Sequence, residues 1–375
     1  MITEVKNIQI WQEDGSFMAG SLFVQDGRFV APATPDEVVD GEGMLAVPGL
    51  IDVHTHGRAG ADFCTATEEE LLHVAKDFVR HGVTAVTPAL ASDTFEGWQK
   101  TAARIAACPD PTYVGLHLEG NYLSPKRRGA HAPQLLVAPN ATEVLEIAAT
   151  VAPKPLRVTF APELDEDGSF AATLREAGIA MSMGHTDADH KTAMQAISRG
   201  VSSATHLFNT MPPLHHRAGG TVVAALNEDI YAELIVDGFH VAPEVVKLAY
   251  RAKGVDRLVL ISDSMQGTGC PDGEYSIAGQ PVYLKNGEAY TADGAIAGST
   301  LSLLDGVRNL AAFAGIPFGR ALICATKTPA ALLGLQGKLG SLAVGARADL
   351  LLLAGEGKKG ELPVRVMQNG AFVGI

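Results

Sequence analysis

Eight short apolar or β-branched runs alternate along this chain with segments of helical periodicity; they lie at residues 47–53, 84–87, 114–118, 156–160, 179–183, 202–205, 233–236 and 258–262. Parallel strands need long crossovers, usually helices, so this alternation points to one parallel sheet. Thr67 and Glu70 form a capping box ahead of an apolar stripe of Leu71, Leu72, Ala75, Phe78 and Val79, which Gly82 stops. Similar patterns at residues 95–107, 141–152, 189–199 and 243–253 predict four more helices. Eight strands alternating with helices predict an α/β fold, a (β/α)8 barrel of the TIM type.

The runs stop at a consistent kind of residue. The first ends in His54-Thr55-His56, and side chains at i and i+2 of a strand point the same way. Two imidazoles converging on one point are what a divalent metal needs. The third run ends at Glu119, the fifth at His185, the sixth at His206 and the eighth at Asp263, while the seventh leads into Asp237-Gly-Phe-His240. Barrel enzymes build their sites where strands end. His54, His56, Glu119, His185, His206 and Asp263 are therefore predicted to meet.

That set contains no sulfur and suits zinc, iron or a similar divalent ion, in one or two positions. Glu119 is placed to bridge two ions, with His54 and His56 on one side and His185 and His206 on the other. Asp263 is the natural base to take a proton from activated water and return it to a leaving group. The reaction class that follows is metal-assisted hydrolysis of an amide or related bond. His73, His81 and His190 fall in helical stretches and read as surface residues. His117 reads equally as a barrel-interior residue and is assigned no role. Glu163, beyond the ligand-free fourth run, is equally open to a structural or a functional part.

The ends of the chain differ from its middle. Residues 1–46 hold short alternating runs split by Asp14-Gly15 and Asp26-Gly27, both hairpin signals, and Asn369-Gly370 repeats the signal near the other end. Both ends are expected to form one small β-sandwich domain, residues 1–47 with 339–375, beside a barrel of residues 48–338. A hairpin-like insertion at 275–294 follows the eighth strand. With 375 residues and 47% hydrophobic content the chain can bury one large core plus such an accessory unit. The four cysteines show no CxxC spacing and are expected to stay thiols in a reducing cytoplasm. No secretory signal or membrane-spanning apolar run is present, and a net charge of −13 argues against nucleic acid as a partner.

The segment from Pro48 to His56 resembles the opening of the amidohydrolase superfamily. Leu118-Glu-Gly120, Gly184-His185, Thr205-His-Leu-Phe-Asn209 with Met211-Pro212, and Asp237-Gly-Phe-His240 resemble its amino-sugar-phosphate deacetylase branch. So do Ser262-Asp263, Ala297-Gly-Ser-Thr300 and the tail from Gly340 to Asp349, in order and through nearly the whole chain. The resemblance implies hydrolysis of N-acetylglucosamine 6-phosphate to glucosamine 6-phosphate and acetate. It implies Glu119, His185 and His206 as metal ligands common to the family. His54 and His56 match a first-strand pair that some members keep and others replace, and Asp263 matches the catalytic acid/base. Ala130, His131, Asn209, Thr210, Arg217, Asp237, His240, Ile296, Ala297 and Gly298 match the sugar-phosphate contacts. Arg217 resembles the phosphate-binding arginine that reaches into the neighbouring subunit's site, which implies a homodimer.

Three positions depart from the pattern. Ala218-Gly219-Gly220 stands where an acidic residue and a proline often follow the His-His-Arg motif. Asn121 replaces a common proline, and Ser264 a usual alanine. These changes leave the metal chemistry untouched and bear on the phosphate loop. Lys126-Arg127-Arg128 reads as a solvated basic turn. Rival readings keep the fold and change the substrate: the galactosamine epimer, or a cyclic amide. Enzymes of the latter kind usually carry a carboxylated lysine at a strand end, and none of the eight strand ends offers one. A non-catalytic sugar-phosphate-binding barrel would have no use for Asp263.

Overall fold

A computed structural model describes residues 1–374. The eight runs become β1 (Leu50–Thr55), β2 (Val83–Leu90), β3 (Leu116–Glu119), β4 (Leu156–Phe160), β5 (Ala180–Met183), β6 (Ser203–Ala204), β7 (Tyr231–Ile235) and β8 (Leu258–Ile261). Each pairs in parallel with its neighbours in chain order. The ring closes at the strands' C-terminal ends, where Asp263 N–H donates to the His54 carbonyl (3.0 Å) and His56 N–H to that of Ser264 (2.8 Å). This is the barrel the alternation predicts. Its strands are buried on both faces, which is why most read as continuous apolar runs rather than as alternating ones.

Helices α1 (Glu68–Arg80), α2 (Phe95–Ala107), α3 (Ala141–Val151), α4 (Ser169–Glu176), α5 (His190–Ser198), α6 (Gly220–Asn227), α7 (Pro243–Arg257) and α8 (Leu303–Ala314) form the crossovers and outer ring. The Thr67–Glu70 capping box starts α1 as expected. α4, α6 and α8 are additions to the five helices read from the sequence. α4 and α6 have eight residues each, and α6 buries Thr221, Val222, Ala224, Ala225 and Leu226, so it shows no one-sided stripe.

Both chain ends join one eight-stranded sheet: Ile2–Trp11, Phe17–Gln25, Arg28–Val30, Glu37–Asp40, Leu45–Pro48, Leu350–Leu353, Arg365–Gln368 and Ala371–Val373. The run at 47–53 is divided between two sheets. Leu45–Pro48 pairs antiparallel with Leu350–Leu353, and after Gly49 the chain enters β1. A Cβ on Gly49 would lie 2.1 Å from Thr84 Oγ1, so only glycine passes this crossing. The insertion after β8 has three strands rather than two, Gly273–Ile277, Gln280–Lys285 and Glu288–Thr291. Among the described residues no helix is long and apolar enough to cross a membrane.

Candidate metal centre

The six residues picked out at strand ends come together at the C-terminal mouth of the barrel. Glu119, the last residue of β3, lies at the middle. Its Oε2 is 3.1 Å from His54 Nε2 and 3.0 Å from His56 Nε2; its Oε1 is 3.2 Å from His185 Nε2 and 2.8 Å from His206 Nε2. Asp263 Oδ1 stands on the first side, 3.3 Å from His56 Nε2 and 3.6 Å from His54 Nε2. His185, His206 and Asp263 each follow their strand with a positive φ, of 47°, 30° and 49°. Non-glycine residues adopt that conformation only where the surroundings impose it, and such positions cluster at functional sites.

The far ring nitrogens are held individually. His56 Nδ1 faces the Ala89 carbonyl at 3.2 Å and His185 Nδ1 the Arg127 carbonyl at 2.8 Å. His54 Nδ1 instead meets a carboxylate, Glu233 Oε2, at 3.0 Å. Glu233 is paired through its other oxygen with Arg157 Nη2, and Arg157 Nη1 donates to the Val53 carbonyl at 3.2 Å. The His117 ring lies edge-on to His54, centroids 4.6 Å apart, with Nε2 on Thr159 Oγ1 at 2.7 Å. Sequence reading missed Glu233 and Arg157. The available signal was a pair of opposite charges inside two strands otherwise fit for full burial.

The electrostatics follow from this crowding. Burial alone would lower the His54 pKa, but the Glu119 and Asp263 charges hold it well above its ordinary value. Burial opposes ionisation of Glu119, and the His54 charge with hydrogen bonds from His185 and His206 overrides it, keeping the carboxylate ionised. Glu233 is held below the usual range in the same way, with Arg157 outweighing burial. His117 is pushed far down by burial and then by the His54 charge, so it stays neutral. His54 Nε2 and Asp263 Oδ1 are buried without a hydrogen-bond partner among the described residues. Two orphaned atoms 3.6 Å apart, within a set of four imidazoles and two carboxylates, fit a divalent ion of the zinc or iron type.

A cavity of about 250 Å³ opens over this cluster. Of the expected contact residues, Ala130, His131, Asn209, Thr210, His240, Ile296, Ala297 and Gly298 line it. His131 Nδ1 accepts the Ser92 backbone N–H at 3.2 Å, so in the neutral ring Nε2 carries the proton. Asp237 does not line the cavity. It accepts from the backbone N–H groups of Phe239 and His240, both at 2.8 Å, and its other oxygen meets His240 Nδ1 at 2.6 Å, so it aims His240. Arg217 does not line it either: it is exposed, with Nη1 2.7 Å from His216 Nε2. Ile277 and Gln280, at the tip of the insertion, complete the wall and were not foreseen. Glu163 has a structural part, accepting from Asp187 N–H (2.6 Å) and Thr186 Oγ1 (2.5 Å). Lys126 and Arg127 pair with Asp187, and Arg128 with Asp293.

The Amidohydrolase family profile matches residues 45–374. An N-acetylglucosamine-6-phosphate deacetylase of Vibrio furnissii is 34% identical over 350 residues, covering 92% of this chain and 86% of that protein. An N-acetylgalactosamine-6-phosphate deacetylase of Escherichia coli O157:H7 is also 34% identical, over 351 residues, covering 91% of this chain and 92% of that one. A solved N-acetyl-D-glucosamine-6-phosphate deacetylase of Mycobacterium smegmatis, an aspartate-to-alanine mutant in complex with N-acetyl-D-glucosamine-6-phosphate, is similar with a TM-score of 0.89. The two are 31% identical, covering 99% of this chain and 98% of that one.

Proposed function

The chain belongs to the amidohydrolase family, and from that premise we propose that it is a metal-dependent deacetylase converting N-acetyl-D-glucosamine 6-phosphate to D-glucosamine 6-phosphate and acetate. One observation carries the reading. Glu119 turns Oε2 to His54 and His56 and Oε1 to His185 and His206, with Asp263 beside the first pair, beneath a cavity of monosaccharide scale.

In this reading Glu119, His185 and His206 would hold one divalent ion, and His54, His56 and Asp263, with Glu119 shared, would hold a second. Such an ion acidifies water and polarises an amide carbonyl. The remaining work falls to the chain's side chains. Asp263 takes a proton from the attacking water and passes it to the sugar nitrogen as the C–O bond forms and the C–N bond breaks. The products are the amine and acetic acid, which ionise in water. His131, its Nδ1 occupied by Ser92, directs its Nε2 proton to the acyl oxygen. Asp237 fixes His240 beside the sugar, and the segment from Ile296 to Gly298 forms the wall against the pyranose.

A chain of net charge −13 must hold a phosphate by local groups. Arg217, exposed and outside its own cavity, is assigned to the partner's site in a homodimer. The enzyme is placed in the cytoplasm, in keeping with four unpaired cysteines. Its accessory domain is taken as residues 1–47 with 339–375, beside a catalytic barrel of 48–338.

Acetate release by the protein loaded with zinc or iron(II) tests the reading. N-acetylglucosamine 6-phosphate is expected to give the highest kcat/KM, ahead of its galactosamine epimer and of unphosphorylated N-acetylglucosamine. Relatives acting on both epimers match the chain at the same 34% identity, so both belong in the assay. Preference for the galactosamine compound would overturn the choice of epimer. No turnover of either phosphate would overturn the deacetylase.

A further inference from the structure

The four histidines around Glu119 are not backed alike. Behind His56 and His185 stand neutral backbone carbonyls, those of Ala89 and Arg127. His206 Nδ1 is buried with no hydrogen-bond partner among the described residues. His54 alone has a carboxylate behind it, Glu233 Oε2 at 3.0 Å from Nδ1. With Nδ1–H donating to that oxygen, Nε2 is the atom left to give its lone pair to an ion in the gap between Glu119 and Asp263, in exchange for its proton. Charge-assisted hydrogen bonds are roughly twice as strong as neutral ones, so this ring is both better fixed and more electron-rich than its three companions.

The support behind Glu233 is of the same kind. Arg157 occupies its other oxygen and also holds the Val53 carbonyl, one residue before His54 in β1. The His117 ring at 4.6 Å blocks rotation of the His54 ring on the remaining side. Glu233 and Arg157 are 0% and 1% exposed. A buried ion pair of this type is poorly justified by stability, because apolar residues of similar volume serve a core as well or better. A use at the site above it accounts for its presence.

We propose that Glu233, oriented by Arg157, is a positioning residue that sets the affinity of the ion position formed by His54, His56, Asp263 and Glu119 Oε2. The position at His185, His206 and Glu119 Oε1 is independent of it. The inference rests on the metal-dependent reading above and adds that the two positions are controlled from different places. The position at His54 and His56 is governed from inside the barrel, by charges on β4 and β7.

The test is a titration of apoprotein with zinc, counting ions per subunit by native mass spectrometry and obtaining each affinity by competition with a chelator. Wild type is compared with Glu233→Gln and with the double variant Arg157→Met/Glu233→Met, which leaves no unpaired buried charge. Loss of a ligand's supporting partner typically weakens metal binding 10–100-fold. The expected result is a loss of that size for one ion and a change under about threefold for the other, in either folded variant. The downfield imidazole N–H resonance of His54 should disappear from the double variant while its apoprotein melting temperature stays near wild type. Two ions bound with wild-type affinity in the variants, equal weakening of both ions, or a wild type that takes only one would each overturn the inference alone. A wild type that binds no divalent ion would overturn the metal-dependent reading together with it.

Discussion

Replacing Asp263 with Asn removes the proposed proton carrier while leaving its frame in place. The backbone at this residue is held by its N–H on the His54 carbonyl (3.0 Å) and by Ser299 N–H on its own carbonyl (2.7 Å), neither of which the change touches. An amide of the same shape keeps an oxygen near His56 Nε2, 3.3 Å away in the wild type, so metal uptake should largely survive. His131 cannot replace the lost base, because Ser92 occupies its Nδ1 and its Nε2 carries the proton, whereas His240, whose Nδ1 is tied to Asp237, is the first candidate to take over if activity persists. General acid–base catalysis is worth ~10²–10⁴-fold, about 2.7–5.4 kcal/mol at 1.36 kcal/mol per decade. One group here both accepts and returns the proton, so kcat should fall by at least that range. The assay is acetate release at saturating substrate, with metal content and melting temperature measured on the same preparation. A fully metallated variant within threefold of wild type would refute the assignment.

Arg217→Ala should raise KM for the phosphorylated sugar about ten- to hundred-fold, the worth of a charge-assisted hydrogen bond, and leave unphosphorylated substrate unchanged in steady-state assays. Mixing that variant with Asp263→Asn should restore part of the activity in exchanged dimers; no recovery would place Arg217 in its own subunit's site or in none. Glu119→Gln should empty both ion positions by elemental analysis, while His54→Gln should empty or weaken only one. Lys253 Nζ donates to the carbonyls of Ala225 (2.8 Å) and Glu228 (2.6 Å) at the end of α6, so Lys253→Met should cost about 1–3 kcal/mol in denaturant unfolding. Burial pulls the Lys253 pKa from 10.5 to about 8, so the folded chain sheds this proton before the unfolded chain does. Wild type should therefore gain stability relative to that variant as pH rises from about 8 to 10.5, and a pH-independent difference would contradict it.

The barrel and the six residues at its mouth were legible because two short-range rules coincide there. Strand periodicity puts His54 and His56 on one face, and the end of a barrel strand is where a polar side chain can be useful. The sequence alone could not show that Arg157 and Glu233 face each other, since their strands, β4 and β7, meet only across the barrel interior. Asp237 matches the sugar-phosphate contacts by its motif, but its hydrogen bonds stay within its own turn and it does not line the cavity. α6 escaped notice because a helix buried nearly all round has no polar face to mark its period. The partition of residues 47–53 between two sheets turns on one steric contact, Gly49 against Thr84, that no periodicity encodes.

The sheet made from both chain ends has a consequence for biosynthesis. Leu45–Pro48 takes Leu350–Leu353 as its antiparallel partner, so this apolar strand finds its mate only after about 300 further residues have been translated. At roughly 5–20 residues per second the wait is on the order of 15–60 s, during which an unpaired edge is open to other nascent chains. Pulse-labelled chains released before Leu350 should therefore associate with chaperones or aggregate, even though every residue of the metal centre has already been made.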